Sequence, residues 1–358
     1  MTEQERNDIT YMRRAIQIAM KGASHVSPNP MVGAVVVCHN RIIGEGFHRL
    51  FGAPHAEVNA INNVCDKSLF SESTLYVTLE PCSHYGKTPP CARLIIDMKI
   101  PRVVIGSLDP NEKVSGRGVK MLEDAGIDVK VGVLREECLL LNEHFILAHT
   151  HRRPYVLLKW AQTVDGVIGF TDANGVAHPL SISSSYTEML MHRERSFFDA
   201  ILIGARTYIA DSPKLTVRRW RIRQNPLRIV LDPNASLLPH FLKFPPQQHL
   251  VWVVNNIDSS DLPENIEVMY VDNGDINDLL RQLFQRSVTS LMVEGGATTL
   301  QYFINARIYD QIRVEVSSDK VVLPDGSTPI IAPSFNANLK NVEFHLNKRI
   351  FNYSPSDF

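Results

Sequence analysis

Apolar residues between positions 11 and 147 alternate between a helical and a strand period. Met12, Ala15 and Ile16 recur at helical spacing and predict a helix over 11–21, whereas the β-branched run at 32–37 predicts a strand. The His39-Asn40 turn predicts a hairpin between that strand and 41–46. Alternation of strands and helices beyond this hairpin predicts a layered α/β domain. Its other predicted helices cover 56–63, 91–98, 118–126 and 136–147, and its other strands cover 74–79, 103–106 and 127–131.

A polar, basic segment that ends in proline covers residues 149–154 and predicts a linker. We therefore expect two domains, over 1–149 and 150–358. A new apolar strand begins at Tyr155, and the pattern after it predicts a second mixed α/β domain. The predicted strands cover 155–160, 200–203, 227–231, 250–254, 267–271, 290–293 and 312–316, the last of which closes the sheet; the predicted helices cover 186–195, 276–286 and 298–305, and residues 342–346 with 349–353 suggest a last hairpin.

Composition excludes several classes of protein. The chain of 358 residues has 37 Lys and Arg against 38 Asp and Glu, a net charge of −1, whereas nucleic-acid-binding surfaces are usually strongly basic. No apolar run approaches the length of a membrane span, and the polar residues 1–8 do not resemble a signal peptide. Five cysteines, an odd number, argue against a secreted disulfide framework, so we expect a cytoplasmic protein.

The chemistry of the first domain centres on one imidazole, two thiols and one carboxylate. His55 and Glu57 lie in the sequence Pro-His-Ala-Glu, Cys82 follows a proline, and eight residues separate Cys82 from Cys91. A structural zinc site closes with four protein ligands, whereas a catalytic one keeps a position open for water. Three ligands beside an unligated Glu therefore predict a catalytic zinc site of the deaminase type, in which zinc activates water and the Glu moves protons.

The predicted elements explain how these groups converge. His55 and Glu57 lie at the first turn of one helix and Cys91 opens another, and helix N-termini stabilise thiolates. His84 is a candidate fourth ligand, as a structural zinc knuckle requires, but we favour a substrate-facing or solvated role because it lies only two residues past Cys82.

Two further residues of the first domain are candidates for contact with a substrate. Asn29 could hold a ring substituent by its amide, although a turn residue between two prolines is the plainer interpretation. His48 is the second candidate, and its plainer interpretation is a surface histidine.

Signals in the second domain are weaker. Gly295-Gly296 lies between a predicted strand and a predicted helix, a pattern that lets backbone N–H groups approach phosphate but also occurs in simple tight turns. Gly204 is a second glycine at the end of a strand. Arg195, Arg218 and Lys159 are either cations that hold a substrate phosphate or solvated surface charges.

The first half of the chain resembles the family of bifunctional riboflavin-biosynthesis deaminase–reductases. The resemblance rests on residues 28–33, 44–48, 54–57, 109–111 and 116–118 and on the run 78–91, whose wide spacer between the two cysteines distinguishes the family from cytidine and tRNA deaminases. It implies a cytidine-deaminase-like α/β/α domain that deaminates 2,5-diamino-6-(5-phosphoribosylamino)pyrimidin-4(3H)-one. It also implies zinc on His55, Cys82 and Cys91, with Glu57 as the acid/base.

The second half resembles the reductase part of the same family in residues 159–166, 199–207, 211–218 and 293–296. This implies a dihydrofolate-reductase-like α/β domain that uses NADPH to reduce the ribosyl group of 5-amino-6-(5-phosphoribosylamino)uracil to ribityl. Asp165 is an acid that we weakly associate with the reduced carbon. By motif position, Arg195, Leu215, Arg218 and Glu294 would line the substrate, and Ala161, Thr207, Asp211, Gly296, Ala297, Thr298, Thr299, Leu300, Gln301 and Tyr302 would line the cofactor.

The chain departs from the family pattern in the reductase half. Ser181 stands where many relatives carry Trp, Ser212 stands where they often carry Asp, and the segment after Pro333 matches poorly. Three alternatives follow: a zinc deaminase with a drifted, weakly active reductase, a tRNA or cytidine deaminase, and a non-catalytic scaffold that binds zinc and nucleotide. We expect a small-molecule substrate, no nucleic acid, no membrane and, from the family alone, a homodimer.

Overall fold

The computed structural model describes residues 1–85, 89–110, 115–222, 224–257, 261–345 and 348–355. Three sequence features reach beyond these ranges: residues 86–88 between the two cysteines, residue 111 of the motif 109–111, and residue 346 of the suggested hairpin. The chain forms two units, Met1–Arg152 and Arg153–Phe358. Within the described ranges, no helix has the length and apolar character needed to cross a bilayer.

The first unit is built on a five-stranded sheet with the order β2-β1-β3-β4-β5. Strand β1 is antiparallel to β2 and β3, whereas β3, β4 and β5 are parallel. The strands are β1 Gly33–Cys38, β2 Arg41–Phe47, β3 Ser73–Leu79, β4 Arg102–Ser107 and β5 Asp128–Val131. The helices are α1 Glu3–Ala19, α2 Ala56–Asn62, α3 Cys91–Asp97, α4 Arg117–Asp124, α5 Arg135–Leu141 and α6 Glu143–His151.

Successive side chains of these strands face opposite sides of the sheet. Val36 and Val77 belong to a buried cluster with residues of α2, α3 and α4. Their neighbours Val35 and Tyr76 belong to a second cluster with residues of α1 and α5. Since both faces of the sheet are covered by helices, the unit is a three-layer α/β/α sandwich, which confirms the predicted fold class.

Helix α1 begins eight residues before the predicted start, because a polar first turn hid it. Thr2 and Glu5 form a capping box: the Thr2 hydroxyl accepts from the Glu5 N–H at 3.2 Å, and the Glu5 carboxylate accepts from the Thr2 N–H at 2.7 Å. This reciprocal pair satisfies backbone donors that the helix itself leaves free. The Thr-x-x-Glu spacing was the available signal.

A buried carboxylate ties α1 to the sheet. Asp8 is fully buried, and its two oxygens accept from Arg102 at 2.9 and 3.0 Å and from Lys130 at 3.0 Å. Gln4 and the Tyr76 hydroxyl donate to the same carboxylate. Burial opposes ionisation of Asp8, but these hydrogen bonds outweigh it and hold the pKa of the carboxyl well below its ordinary value.

We expect the first unit to lose stability in acid through Asp8. Because the folded-state pKa lies below the ordinary value of 3.8, the unfolded chain binds the proton first. The contribution is complete above that value and declines as the pH falls below it. Calorimetric unfolding of wild type and Asp8→Asn, from about pH 7 down to about pH 3, measures it. The difference in unfolding free energy should shrink toward low pH; a difference that stays constant would contradict this role.

The predicted helix over 136–147 is two helices, and the second is longer than predicted. Asn142 leaves the helical conformation, with φ −118° and ψ 26°, and so separates α5 from α6. Helix α6 then continues to His151, and Arg152 follows with a left-handed φ of 55°. The predicted linker over 149–154 is therefore wrong in its first three residues, because polar side chains do not by themselves end a helix.

The second unit contains a nine-stranded sheet with the order β12-β11-β10-β9-β13-β6-β14-β17-β16. The strands from β12 to β14 run parallel, and β17 and β16 add antiparallel strands. These strands are β6 Tyr155–Gln162, β9 Ala200–Gly204, β10 Leu227–Leu231, β11 Leu250–Val254, β12 Ile266–Tyr270, β13 Ser290–Gly295, β14 Gln311–Ser317, β16 Ala337–His345 and β17 Lys348–Pro355. The helices are α7 Ser185–Arg195, α8 Ala205–Asp211, α9 Leu238–Lys243, α10 Ile276–Gln285 and α11 Ala297–Asn305.

Two expectations about this sheet need correction. Strand β14 does not close the sheet, because the antiparallel hairpin of β16 and β17 pairs beyond it. A separate three-stranded sheet was not predicted; it consists of β7 Val167–Thr171, β8 Ala177–Pro179 and β15 Thr328–Ile331. These strands are short and half-exposed, so they lack the apolar runs that mark the central strands.

Candidate metal centre and cofactor cradle

Three side chains from separate parts of the first unit meet at the start of α2. His55 is the N-cap of α2, Cys82 follows β3, and Cys91 opens α3. The Nδ1 atom of His55 lies 3.6 Å from Cys82 Sγ and 3.4 Å from Cys91 Sγ, and all three ligand atoms lie within 4.8 Å of one another. Tetrahedral zinc, with bonds of about 2.3 Å to sulfur and about 2.0 Å to nitrogen, fits ligand atoms at such separations.

The described residues supply three metal ligands at this point and no fourth His, Cys, Asp or Glu. His84, the candidate fourth ligand, is exposed and lies outside the group. A set of three protein ligands is typical of catalytic zinc, whereas structural zinc takes four.

Backbone geometry prepares the sulfurs for a cation. The Cys91 N–H, at the start of α3, donates to Cys82 Sγ at 3.3 Å. Hydrogen bonding from the Cys91 thiol, with contributions from His55 and this N–H, lowers the pKa of the Cys82 thiol. Burial and the neighbouring thiolate raise the pKa of Cys91, so the pair resists a second negative charge unless a cation shares it. The donor set therefore fits a divalent metal.

Glu57 lies one turn into the same site and has no access to bulk water. It is the second residue of α2 and is 3% exposed. Burial raises the pKa of its carboxyl to about 7, which places both protonation states within reach near neutral pH. A bound cation would oppose this shift. A carboxyl group so tuned suits general acid–base catalysis.

The two candidate substrate residues of the first unit contact each other. Asn29 Nδ2 lies 3.1 Å from His48 Nε2, and His48 Nδ1 lies 3.2 Å from the Pro54 carbonyl. Because a carbonyl only accepts, Nδ1 carries the proton and Nε2 accepts from the Asn29 amide. His48 is 3% exposed, so it is not the surface histidine of the plainer interpretation. Burial lowers the pKa of its imidazole, consistent with a neutral ring.

Glu80 is a buried acid whose role sequence reasoning missed. Its carboxylate accepts four backbone N–H groups, from Asp109, Gly116, Gly118 and Val119, at 2.8 to 3.3 Å. Glu80 therefore fixes the chain around the start of α4 beside Cys82. A carboxylate directly before the Pro-Cys pair was the available signal, but its partners lie about 30 residues away and no pattern joins them.

The predicted cofactor residues of the second unit surround two glycine turns. Strands β9 and β13 are parallel neighbours, and Gly204 ends the first while Gly295 and Gly296 end the second. Gly296 has φ +74°, and a Cβ there would lie 2.8 Å from Thr207 Oγ1. A Cβ on Gly204 would lie 2.3 Å from Thr299 Oγ1. Both turns thus bring bare backbone close together at the N-termini of α8 and α11, an arrangement suited to phosphate.

An open pocket of about 520 Å³ lies along α11. Four predicted cofactor residues line it: Ala297, Thr298, Gln301 and Tyr302. Leu300 and Thr299 are buried, so their side chains face the protein instead. Among the other predicted cofactor residues, Thr207 and Asp211 lie on α8, and Ala161 is half-buried on β6.

Two of the predicted substrate residues form a buried ion pair. The Arg195 Nε and one guanidinium nitrogen donate to the Glu294 carboxylate at 2.6 and 2.5 Å, with side chains 15% and 8% exposed. Burial opposes the charge on Glu294, but Arg195 outweighs it and lowers the pKa of the carboxyl. Arg195 also donates to the Thr216 carbonyl at 3.3 Å. Its guanidinium is thus largely committed to protein partners.

Two other cations near this pair are freer. Arg218 is exposed and donates to Thr216 Oγ1, while its backbone N–H donates to His192 Nδ1. Burial lowers the pKa of the Lys159 ammonium, although Glu294 and Glu315 oppose this effect. Leu215, the remaining predicted substrate residue, is buried with a left-handed φ of 50°.

Asp165 and the two departures from the family pattern lie at the surface. Asp165 is exposed in the turn between β6 and β7 and accepts from Thr163 Oγ1 at 2.5 Å, so it has a structural role in that turn. Ser181 is exposed, and Ser212 follows α8 with a left-handed φ of 41°.

Comparison with known proteins matches each unit to a family model. Residues 5–107 match the cytidine and deoxycytidylate deaminase zinc-binding region, and residues 154–327 match the RibD C-terminal domain. The riboflavin biosynthesis protein RibD of Aquifex aeolicus is 38% identical over 345 residues, which cover 94% of this chain and 95% of that protein. RibD of Escherichia coli is 34% identical over 329 residues, with 87% of each chain covered.

Solved structures agree with these matches. The crystal structure of a diaminohydroxyphosphoribosylaminopyrimidine deaminase/5-amino-6-(5-phosphoribosylamino)uracil reductase from Thermotoga maritima is 36% identical, has a TM-score of 0.85, and covers 99% of this chain and 100% of that one. RibD of Acinetobacter baumannii is 30% identical with a TM-score of 0.84 over 99% of this chain. With matching sequence, domain order and fold along almost the entire length, the chain belongs to the RibD family of bifunctional deaminase–reductases of riboflavin biosynthesis.

Proposed function

We propose that the first unit removes ammonia from 2,5-diamino-6-(5-phosphoribosylamino)pyrimidin-4(3H)-one, and that the second unit reduces the ribosyl group of 5-amino-6-(5-phosphoribosylamino)uracil to ribityl. Zn²⁺ and NADPH are the cofactors of this family. The observation that carries the proposal is the cluster of His55, Cys82 and Cys91 with buried Glu57 beside it. The name of the Thermotoga maritima relative supports the same two substrates.

In the deaminase site, His55, Cys82 and Cys91 would hold zinc. The metal, when bound, makes a coordinated water acidic near pH 7. Glu57 takes a proton from the attacking water and delivers it to the departing amino nitrogen, since its raised pKa lets it act in both directions. Asn29 accepts a substrate N–H with its amide oxygen. His48 uses both ring nitrogens on protein partners and so holds Asn29 in place.

In the reductase site, the glycine turns before α8 and α11 would receive the phosphates of NADPH. The free N–H groups of Gly296 and the first turn of α11 supply the donors. Arg218 and Lys159 are the cations available to a substrate phosphate, because Arg195 is occupied by Glu294. Hydride transfer needs the cofactor and the sugar carbon to be held together more than it needs side-chain chemistry.

We also propose a cytoplasmic enzyme that acts on small molecules and not on nucleic acid. The five cysteines are free, which suits a reducing compartment, and the net charge of −1 suits a small substrate. A homodimer is part of the proposal from the family; light scattering tests it as a mass of about twice the 40.3 kDa chain.

The test uses the full chain with zinc, the diaminopyrimidine substrate and NADPH. We expect ammonia release first, followed by NADPH oxidation that depends on the deaminated product. A chain that does neither would overturn the proposal. Ammonia release with a millimolar dissociation constant for NADPH would instead favour a drifted reductase, for which Ser181 and Ser212 are the motivating residues.

Gly296→Ala should weaken NADPH binding about tenfold or more. The added Cβ lies 2.8 Å from Thr207 Oγ1, and alanine disfavours φ +74°. Gly175→Ala is the matched control, since Gly175 has φ +82° but nothing within 4 Å of its Cβ position. Fluorescence titration with NADPH measures both variants. Equal dissociation constants for the two variants would remove Gly296 from the cofactor site.

A further inference from the structure

Asn29 lies in a short segment that has no regular secondary structure of its own. The segment runs from Pro28 to Met31, between the end of α1 and the start of β1. The Asn29 N–H donates to the Val26 carbonyl at 2.9 Å, and its side-chain amide donates to His48. A loop held by so few contacts positions a side chain accurately only if its backbone is fixed from another element.

Asn142 provides that fixation from the junction of α5 and α6. Its Oδ1 accepts from the Met31 N–H at 2.8 Å, and its Nδ2 donates to the Met31 carbonyl at 2.9 Å. The carboxamide thus satisfies both backbone groups of one residue, as a neighbouring β-strand would. Asn142 is 4% exposed and lies 111 residues from Met31 in sequence. The clamp is therefore dry and depends on the tertiary fold.

The contacts continue from Met31 to the metal centre. Met31 is two residues from Asn29, Asn29 donates to His48, and the His48 ring packs edge-on against the His55 ring at 5.6 Å between centroids. Since His48 Nε2 accepts from the amide nitrogen of Asn29, the amide oxygen points elsewhere. Among the residues that the structure describes, no protein donor to that oxygen is recorded. The oxygen is thus available to an N–H group of a ligand.

We propose that Asn142 is a positioning residue of the deaminase site, which acts through the Met31 backbone to aim the Asn29 amide oxygen at an N–H of the aminopyrimidine ring. This rests on the proposed deaminase function. Asparagine alone suits the clamp: aspartate faces the Met31 carbonyl with a second acceptor, alanine leaves both Met31 groups unpaired, and glutamine is one carbon too long. A residue that merely separates two helices needs none of this pairing.

The test is a double-mutant cycle on the full chain with zinc bound. The variants are Asn142→Ala, Asn29→Ala and the two combined, with Asn62→Ala as the matched control on the exposed side of α2. Ammonia release gives kcat and KM, metal analysis gives the zinc content, and NADPH oxidation with the deaminated substrate gives the reductase rate.

We expect Asn142→Ala to lower the deaminase kcat/KM by about 10- to 100-fold, chiefly through KM, with zinc content and reductase rate unchanged. In the Asn29→Ala background it should have almost no further effect, because its route of action is gone. Asn142→Asp, which preserves shape, should behave like Asn142→Ala and replaces it if the alanine variant does not fold. Asn62→Ala should match wild type.

Three results would overturn the inference: wild-type kcat/KM in both Asn142 variants, effects of Asn29→Ala and Asn142→Ala that multiply, or loss of zinc in Asn142→Asp. Wild-type protein that releases no ammonia would instead refute the deaminase function itself, so the two failures are distinguishable.

Discussion

Glu57→Gln should lower the deaminase kcat by about 10²- to 10⁴-fold, the usual loss when a general acid–base is removed. The amide preserves the volume and polarity of a side chain that is 3% exposed, so the α/β/α unit should fold as before. It cannot take a proton from water or return one to the leaving amine. KM should change little, because Glu57 acts on protons more than on substrate binding.

The controls for Glu57→Gln lie in the same chain. Zinc content should stay at the wild-type level, since the three ligands are untouched, and the reductase rate with deaminated substrate should be unaffected. Glu123→Gln, an exposed acid on α4, is the matched variant and should keep full activity. Ammonia release by Glu57→Gln within tenfold of wild type would show that another group moves the protons.

Glu294→Gln should lower both the stability of the second unit and its reductase activity. Removing one partner of a buried ion pair leaves the other charge uncompensated, which typically costs about 3–5 kcal/mol. Arg195 also holds the Thr216 carbonyl, so its release should loosen the segment that carries Leu215 and Arg218. We expect a reductase kcat/KM about 10²-fold lower or worse, with ammonia release unchanged.

A matched pair on the surface of the same unit separates burial from charge. Glu188 and Arg219 approach to 2.7 Å but are 43% and 48% exposed, so Glu188→Gln should alter stability by about 1 kcal/mol at most. Replacing both buried partners, by Arg195→Met with Glu294→Leu, should recover much of the stability without the activity. Calorimetry and NADPH oxidation measure the two quantities. Equal destabilisation by Glu294→Gln and Glu188→Gln would refute the argument from burial.

The sequence predicted the metal centre better than its surroundings. His55, Cys82 and Cys91 could be identified because helix starts and a strand end bring them together, and those element ends are marked by proline and by apolar periodicity. The parallel core strands β10 and β11 were predicted at their observed ends for the same reason: continuous apolar runs signal buried strands.

The partners of these residues were not predictable from local pattern. Asn142 and Met31, Glu80 and Gly118, and Arg195 and Glu294 are each distant in sequence, so only the folded chain shows that they meet. Helix α1 was shortened in prediction because Asp8 looked like a surface residue, whereas three cations and donors neutralise it inside the protein. Polar residues that are buried in pairs defeat a pattern that assigns polar positions to solvent.

The central claim is a three-ligand zinc site that serves the deaminase alone. The most direct measurement is the two-step turnover of chelated, then zinc-reconstituted protein, with metal analysis at each stage. We predict one zinc per chain, loss of ammonia release on chelation, recovery on adding zinc, and NADPH oxidation with deaminated substrate at every stage. Ammonia release that persists in metal-free protein would contradict the claim.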